Sequence, residues 1–329
     1  MNPFTFASAS DVGEALRDIA GHRGARFIAG GTNILDLMKE NVARPPRLID
    51  ITRLPLKSIE PTADGGLRLG ALATNAQTAY HDEVRRRYPL VSKAILAGAS
   101  AQIRNMATNG GNLLQRTRCW YFYDTAVPCN KREPGSGCGA IGGINRIHAV
   151  LGHSEQCIAV HPSDFCVALA ALEAVVRVSG PAGERAIAFS EFHRLPGDTP
   201  HIDNVLAPDE LITAIDLPPR GFAEHCAYLK IRDRVSFAFA LVSVAAALEI
   251  DGGAIREARI ALGGVAHKPW RVREAEALLV GRPPTEENFR CVADAYLDGA
   301  HGYPHNAFKI ELAKRAIRRA LGEALHEPR

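Results

Sequence analysis

The stretch "RFIAGGTNILDLMKE", residues 26–40, runs a strand-like segment into Gly30, Gly31, Thr32 and Asn33 and then into a helix-like segment. Strand, glycine turn and helix in succession suit an anionic phosphate group. Glycines let backbone N–H groups approach the anion, and the helix N-terminus behind them is partially positive. Paired glycines are also common in plain turns, so this reading needs support from elsewhere in the chain. Just upstream, Ser10 or Asp11 is placed to cap a short helix with Val12, Leu16 and Ile19 on one face.

Downstream, Pro45 and Pro46 mark a loop before the strand-like "RLIDITRL". "GGLRLGALATNAQTAY" reads as a strand, and a helix follows through "RYPLVSKAILAGA". Next comes "ASAQIRNMATNGGNLLQ", small and polar with Gly110 and Gly111. It can lie flat against a ligand or form a tight loop between core elements; composition does not separate the two. "CIAVHPSDFCVALAALEAVVRVSG" predicts a helix and a strand, and "ELITAIDLP" another strand ending at a linker-like Pro218-Pro219. The last third is read as a separate α+β domain. It holds a hairpin turning at Asp251, Gly252 and Gly253, helices near 271–280 and 285–297, and a final helix with Ile310, Ala313, Ile317, Ala320 and Ala324 on one face. No internal repeat is visible.

A chain of 329 residues suggests two or three domains at about 100–200 residues each. Its 47% hydrophobic and 23% charged residues are ordinary for a globular protein. A net charge of +3 argues against a nucleic-acid partner. No apolar run reaches the roughly 18 residues of a membrane span; the most apolar stretch, 237–248, reads as a buried strand. "MNPFTFASAS" lacks the basic and apolar regions of a secretory signal, so the expectation is a chain with no export address of its own.

Seven cysteines, an odd number, fit a reducing compartment better than a disulfide scaffold. Four of them, Cys119, Cys129, Cys138 and Cys157, fall within 39 positions, while Cys166, Cys226 and Cys291 are scattered in apolar surroundings. The spacing C-x9-C-x8-C-x18-C has no close pair of the kind structural zinc sites use, which disfavours zinc. A cubane iron–sulfur cluster also takes four thiolates and tolerates a longer, irregular loop. Glycine-rich "NKREPGSGCGAIGGIN" could fold around such an object. Unrelated cysteines, or disulfides, stay open on spacing alone. A catalytic thiol would need an activating neighbour, for which proximity of His148 and His153 in sequence is weak support. "GSGCGA" formally matches a dinucleotide fingerprint but lies between no strand and helix, so that reading fails.

Taken in order, these segments resemble the flavin-binding subunit of the xanthine dehydrogenase family of molybdenum hydroxylases. "IAGGTNILDLM" is similar to the family's first flavin loop, and "GALAT" with "ASAQIRNMATNGGNLL" to its second. "HPSDF" resembles the segment carrying an aspartate, and "YLKIRDRVSFAFALVSVAAAL" the start of the C-terminal domain. The likeness covers nearly the whole chain. Plain FAD subunits of the family lack the four cysteines. An insertion carrying them is similar to two branches that hold an additional [4Fe-4S] cluster: periplasmic-type bacterial aldehyde oxidoreductase and 4-hydroxybenzoyl-CoA reductase. "RTRCWYFYDTAVPCNKREPGSGC" looks closer to the first.

The resemblance implies an α+β fold. A vanillyl-alcohol-oxidase-type (PCMH-like) FAD-binding domain would occupy two lobes, 1–55 and 56–219, the second carrying a cluster loop at about 115–160. A C-terminal α+β domain of the CO dehydrogenase flavoprotein type, with a three-stranded sheet, would fill 220–329. It implies that Ile28, Ala29, Gly30, Gly31, Thr32, Asn33, Ile34 and Leu35 wrap the FAD pyrophosphate. Ala71, Thr74, Ala99, Thr108, Gly111 and Asn112 would line the second side, Asp164 would bind the ribose or adenine end, and Lys230 would reach the isoalloxazine region, unless it only snorkels to solvent. The cluster thiolates would be Cys119, Cys129, Cys138 and Cys157. Arg104, Arg116, Arg118, Lys131 and Arg132 would either offset the negative charge of cofactor and cluster or form a solvated face.

No catalytic side chain is implied. The oxidative chemistry would belong to a large molybdenum-cofactor subunit, a small partner would carry [2Fe-2S] clusters, and this chain would pass electrons to an external acceptor. No membrane partner is expected. A reductive enzyme like the aroyl-CoA reductase, and a zinc-bearing assembly module, are the rival readings. The compartment would be the cytoplasm, or the periplasm by co-export with a signal-bearing partner.

Overall fold

The computed structural model describes residues 1–326 and is built on three separate sheets. In the first, β1 (Thr5–Ser8), β2 (Arg26–Ile28) and β3 (Arg47–Asp50) are parallel in the order β1-β3-β2. Helix Val12–Gly21 connects β1 to β2. Asp11 caps it by accepting the Glu14 backbone N–H at 2.8 Å, and the Glu14 carboxylate reaches back to the Ser10 N–H at 2.7 Å. Orphaned N–H groups at the helix start are thereby satisfied from both directions.

The second sheet is antiparallel in the order β4-β5-β8-β6-β7, formed by β4 (Ile59–Pro61), β5 (Leu67–Gly70), β6 (Val175–Gly180), β7 (Gly183–Ala188) and β8 (Leu211–Leu217). Its core joins Leu67, Leu69 and Ile215 to buried residues of helices Pro89–Ala97 and Asp164–Ala171.

The third sheet, β9 (Cys226–Ile231), β10 (Val242–Asp251) and β11 (Ala254–Gly263), is antiparallel with β10 in the middle. Both faces of β10 are covered. Ala245 and Ala247 join the core of the second sheet's helices, while Val244, Ala246 and Leu248 face the terminal helices Glu286–Tyr296 and Phe308–His326. The two-residue side-chain period accounts for this split, and double coverage explains why the strand reads as continuously apolar. The β10–β11 turn uses Gly252 at φ 58° and Gly253 at φ 79°, positive values suited to a tight hairpin. In the last helix Ala313, Ile317, Ala320 and Ala324 are buried, as the 3.6-residue period predicts, with Ile310 partly so.

Several readings from sequence change. The apolar stretch from Phe237 does not start as a strand: Phe237 is 66% exposed with φ 51°, and β10 begins at Val242. The helix expected over 271–280 is only Arg273–Ala277. The segment after Ala99 forms two short helices, Ala101–Met106 capped by Ser100 and Asn109–Leu113 capped by Thr108. Strand β1 was not anticipated, because three of its four residues are exposed and carry no inside–outside pattern. Cys291 is exposed on helix Glu286–Tyr296 rather than set among apolar neighbours.

Ile317 is fully buried against the third sheet, so Ile317→Ala removes methylenes and leaves a cavity. Urea unfolding should show a loss of about 2–5 kcal/mol.

Candidate functional site: a cleft at the glycine turns and a pocket of thiols

One cleft collects Thr32 and Asn33 from the first glycine turn, Ala99, Gly111 and Asn112 from the second, and Asp164 with Lys230 from beyond. Closeness at the turns is enforced by packing. A Cβ on Gly30 would stand 1.8 Å from the Met106 carbonyl oxygen, so only a residue without a side chain lets the two loops meet. Ile28, Ala29, Gly30, Gly31, Ile34 and Leu35 make up the turn and its flanks, while Thr32 and Asn33 form the wall. Asn33 Oδ1 accepts the Arg116 backbone N–H at 2.9 Å, while its Nδ2 is buried without a partner. A buried amide donor left unmade is costly, and here it marks a position for an acceptor such as a phosphate oxygen.

On the second side, Thr74 and Thr108 are helix caps joined to each other by a bridge. Thr74 Oγ1 accepts the Gln77 N–H at 3.1 Å, and Thr108 Oγ1 accepts the Gly111 N–H at 3.3 Å. Between them Asn109 is fully buried and bonds Asn75, Thr78 and the Gly70 carbonyl. Ala71 lies buried behind Gly110 rather than on the cleft wall. Ala99 lines the cleft with φ 54°, a left-handed backbone that costs an alanine about 1–2 kcal/mol.

Asp164 and Lys230 meet each other. Lys230 Nζ donates to Asp164 Oδ2 at 2.7 Å and to the Ala97 carbonyl at 3.1 Å, and Tyr228 Oη donates to Asp164 Oδ1 at 2.7 Å. Lys230 therefore does not snorkel to solvent; its side chain is 4% exposed. Sequence reasoning missed Tyr228, Ser163, Gln115 and Phe239, the last three of which also line the cleft. Ser163 donates to Asn112 Oδ1 at 2.5 Å. All four lie within or beside the quoted segments, but nothing in their residue types singles them out from their neighbours.

Of the basic residues near the loop, Arg104 and Arg118 reach the cleft, Arg118 bonding Asp36 and Tyr123 and lying over the Phe239 ring at 5.1 Å. Arg116 and Lys131 both pair with Asp203, and Arg132 donates to the carbonyls of Tyr121, Phe122 and Val127. They are tied into the structure rather than spread on a solvated face.

The four clustered cysteines line one small pocket. Cys119, Cys129 and Cys157 are buried and Cys138 is partly so, and Cys129 and Cys138 pair through a short antiparallel bridge. The loop around them has little regular structure and is held by side chains. Asn130 accepts the N–H groups of Gly135 and Gly137, and Asn145 donates to the carbonyls of Ala140 and Gly143. His148 Nε2 stands 3.1 Å from Cys119 Sγ. Burial pushes the Cys119 thiol up to about 12 and the Cys157 thiol up to about 11, although Lys131 pulls the second down. A metal centre supplies the positive charge that would hold such sulfurs as thiolates. The donor set, four converging soft sulfurs, suits iron or zinc. Tetrahedral zinc, with Zn–S about 2.3 Å, needs sulfurs about 3.8 Å apart. Among the described residues, the group of three metal-capable side chains whose donor atoms lie within 4.8 Å of one another is His161, Cys166 and His193, not these cysteines.

A two-loop glycine cleft beside a helix-covered three-stranded sheet gives an α+β architecture with a cleft suited to an anionic ligand. The sequence matches the FAD binding domain in molybdopterin dehydrogenase over residues 2–220 and the CO dehydrogenase flavoprotein C-terminal domain over residues 227–324. The chain belongs to the FAD-binding subunits of the molybdenum hydroxylase family and is an oxidoreductase subunit. It is 51% identical over 325 residues to the aldehyde oxidoreductase FAD-binding subunit PaoB of Escherichia coli K12, covering 98% of this chain and 99% of that one. It is 26% identical to the glyceraldehyde dehydrogenase medium chain of Sulfolobus acidocaldarius, covering 88% and 85%. In fold it matches a chain of carbon monoxide dehydrogenase from Hydrogenophaga pseudoflava with a TM-score of 0.77, at 25% identity and 98% coverage of both.

Gly30→Ala should push the two flavin loops apart, and FAD released from the purified protein should fall well below the wild-type ratio. Asp203 provides a pH test. Burial alone would raise its carboxyl, but Lys131 and Arg116 override that and hold it down at about 2. Its stabilisation is complete above the unfolded value of about 3.9 and is lost as pH falls through about 2. Asp203→Asn should remove that arm of the acid-unfolding profile and cost about 3–5 kcal/mol at neutral pH, because buried Lys131 loses its counter-charge.

Proposed function

We propose that this chain is the FAD- and [4Fe-4S]-carrying electron-transfer subunit of a molybdenum-dependent aldehyde oxidoreductase. In that enzyme it would work beside a large molybdenum-cofactor subunit and a small [2Fe-2S] subunit and deliver electrons to an external acceptor. The observation that carries the cluster is the convergence of Cys119, Cys129, Cys138 and Cys157 on one pocket, although up to 38 positions separate them in sequence. The aldehyde assignment is supported by 51% identity to a subunit named for that activity over essentially the full length of both chains.

A bound flavin accepts electrons singly from iron–sulfur centres and releases them singly or in pairs. The protein's own part is positioning. The turn at Thr32 and Asn33, with Gly111 and Asn112 opposite, presents backbone and amide donors to a pyrophosphate. Asp164, held by Tyr228 and Lys230, presents a carboxylate that is already oriented and can accept a sugar hydroxyl. Arg104 and Arg118 add positive charge along the same cleft. The largely buried thiol pocket would shield a metal held there from water, and the loop that forms it is pinned at Asn130, Arg132 and Asn145.

Metal, acid-labile sulfide and FAD assays on the assembled complex test this reading. One FAD and four irons beyond those of the small subunit are expected, with a low-temperature paramagnetic signal after dithionite reduction. Cys119→Ser and Cys157→Ser should each abolish those four irons while FAD stays bound. Zinc in place of the extra iron would overturn the proposal, as would unchanged iron in both variants.

A further inference from the structure

We propose that Lys309 and His148 link the C-terminal helix to the cluster ligand Cys119 and raise the reduction potential of the cluster held there. This rests on the cluster reading above.

Lys309 opens the second position of helix Phe308–His326 and is 0% exposed. Its ammonium donates to the His148 carbonyl at 2.8 Å and to the Gly264 carbonyl at 2.5 Å. Among the described residues no carboxylate pairs with it, whereas every other fully or nearly fully buried lysine of the site has one: Lys131 pairs with Asp203 and Lys230 with Asp164. A cation buried without a counter-ion is strongly unfavourable. Burial, followed by Arg146 of like charge, accordingly pulls Lys309 down to about 7. An anion nearby would compensate it, and the cluster pocket lies one residue away along its hydrogen bond.

That residue is His148. It is 1% exposed, its Nε2 is 3.1 Å from Cys119 Sγ, and its Nδ1 has no partner. A metal-bound thiolate only accepts hydrogen bonds, so the Nε2 proton is the one given to the sulfur. Asn306 fixes the same corner by donating to the carbonyls of His148 and Ala149 at 3.3 and 3.0 Å. The imidazole is therefore positioned from the C-terminal domain and not from the cysteine loop alone.

One-electron reduction makes the cluster one unit more negative. A hydrogen bond to a ligand sulfur and a buried cation nearby both favour the more negative state, so both raise the potential. Neither residue is a ligand; both are positioning residues that act through Cys119.

The test is a redox titration of the assembled complex, following the cluster's low-temperature paramagnetic signal in wild type, Lys309→Met, His148→Leu and His148→Gln. Lys309→Met and His148→Leu should each lower the equilibrium constant for one-electron reduction about tenfold, a shift of about 59 mV to more negative potential. His148→Gln, which keeps an N–H donor, should stay near wild type, and FAD content should not change. Wild-type potentials in Lys309→Met and His148→Leu, or an equal shift in His148→Gln and His148→Leu, would overturn the proposal while leaving the cluster intact. Absence of the cluster signal and its iron from wild type would remove the underlying reading instead. Should His148→Leu fail to hold iron, Lys309→Met decides alone: a negative shift supports the link and an unchanged potential overturns it.

Discussion

The cleft depends on one buried ion pair. Asp164 and Lys230 are almost completely enclosed, and the carboxylate receives a second hydrogen bond from Tyr228. Asp164 begins the helix packed on the second sheet, Lys230 lies on β9 of the third, and the Lys230 ammonium also reaches the end of helix Pro89–Ala97 at Ala97. Three elements from two cores are thus tied at a single point. Charges taken from water make a favourable pair only when their hydrogen bonds are nearly all satisfied, which sets the angle and separation of the elements that carry them. Apolar packing of Ala245 and Ala247 against the same helices holds the two layers together but has no comparable directionality.

The thiol pocket is ordered differently. Regular structure has its backbone groups satisfied by repetition, and a loop has to find a partner for each separately. Asn130, Arg132 and Asn145 do this locally, while Lys131 reaches Asp203 and the Pro200 carbonyl in a separate loop. Those polar anchors surround Phe122, Ala140, Ile158 and Ala159, a small apolar cluster of its own that also contains the cysteines. The result is a shell of polar and apolar contacts around the sulfur atoms.

Much of this was legible along the chain wherever the governing physics is local. Paired glycines at Gly30 and Gly31 read as a turn open to a phosphate or as a plain turn, and the close approach of the Met106 carbonyl to Gly30 was not foreseen, whereas Gly252 with Gly253 marked a hairpin because both adopt positive φ. The last helix was visible in the spacing of Ala313, Ile317, Ala320 and Ala324. Clustering of four cysteines was visible as well, though spacing alone left open what they hold. Partnership between distant residues was not legible. Lys230 read as reaching the isoalloxazine region or else snorkelling to solvent, with no sign of its pairing with Asp164, and Lys309 sits in a helix with many exposed cations. Phe237 was misread because an apolar residue at a loop tip and one at a strand start are alike in composition.

Contacts from Asn306 and Lys309 to residues 148 and 149 span 157 to 161 positions of chain. The residues that fix the floor beneath the cysteine loop therefore leave the ribosome well after the loop itself. Domains generally fold in the order they are made, and contacts of long sequence separation form slowly. A nascent chain stopped before residue 300 carries all four thiols and lacks Asn306 and Lys309, so the corner at His148 is completed only after the whole cysteine loop has been made.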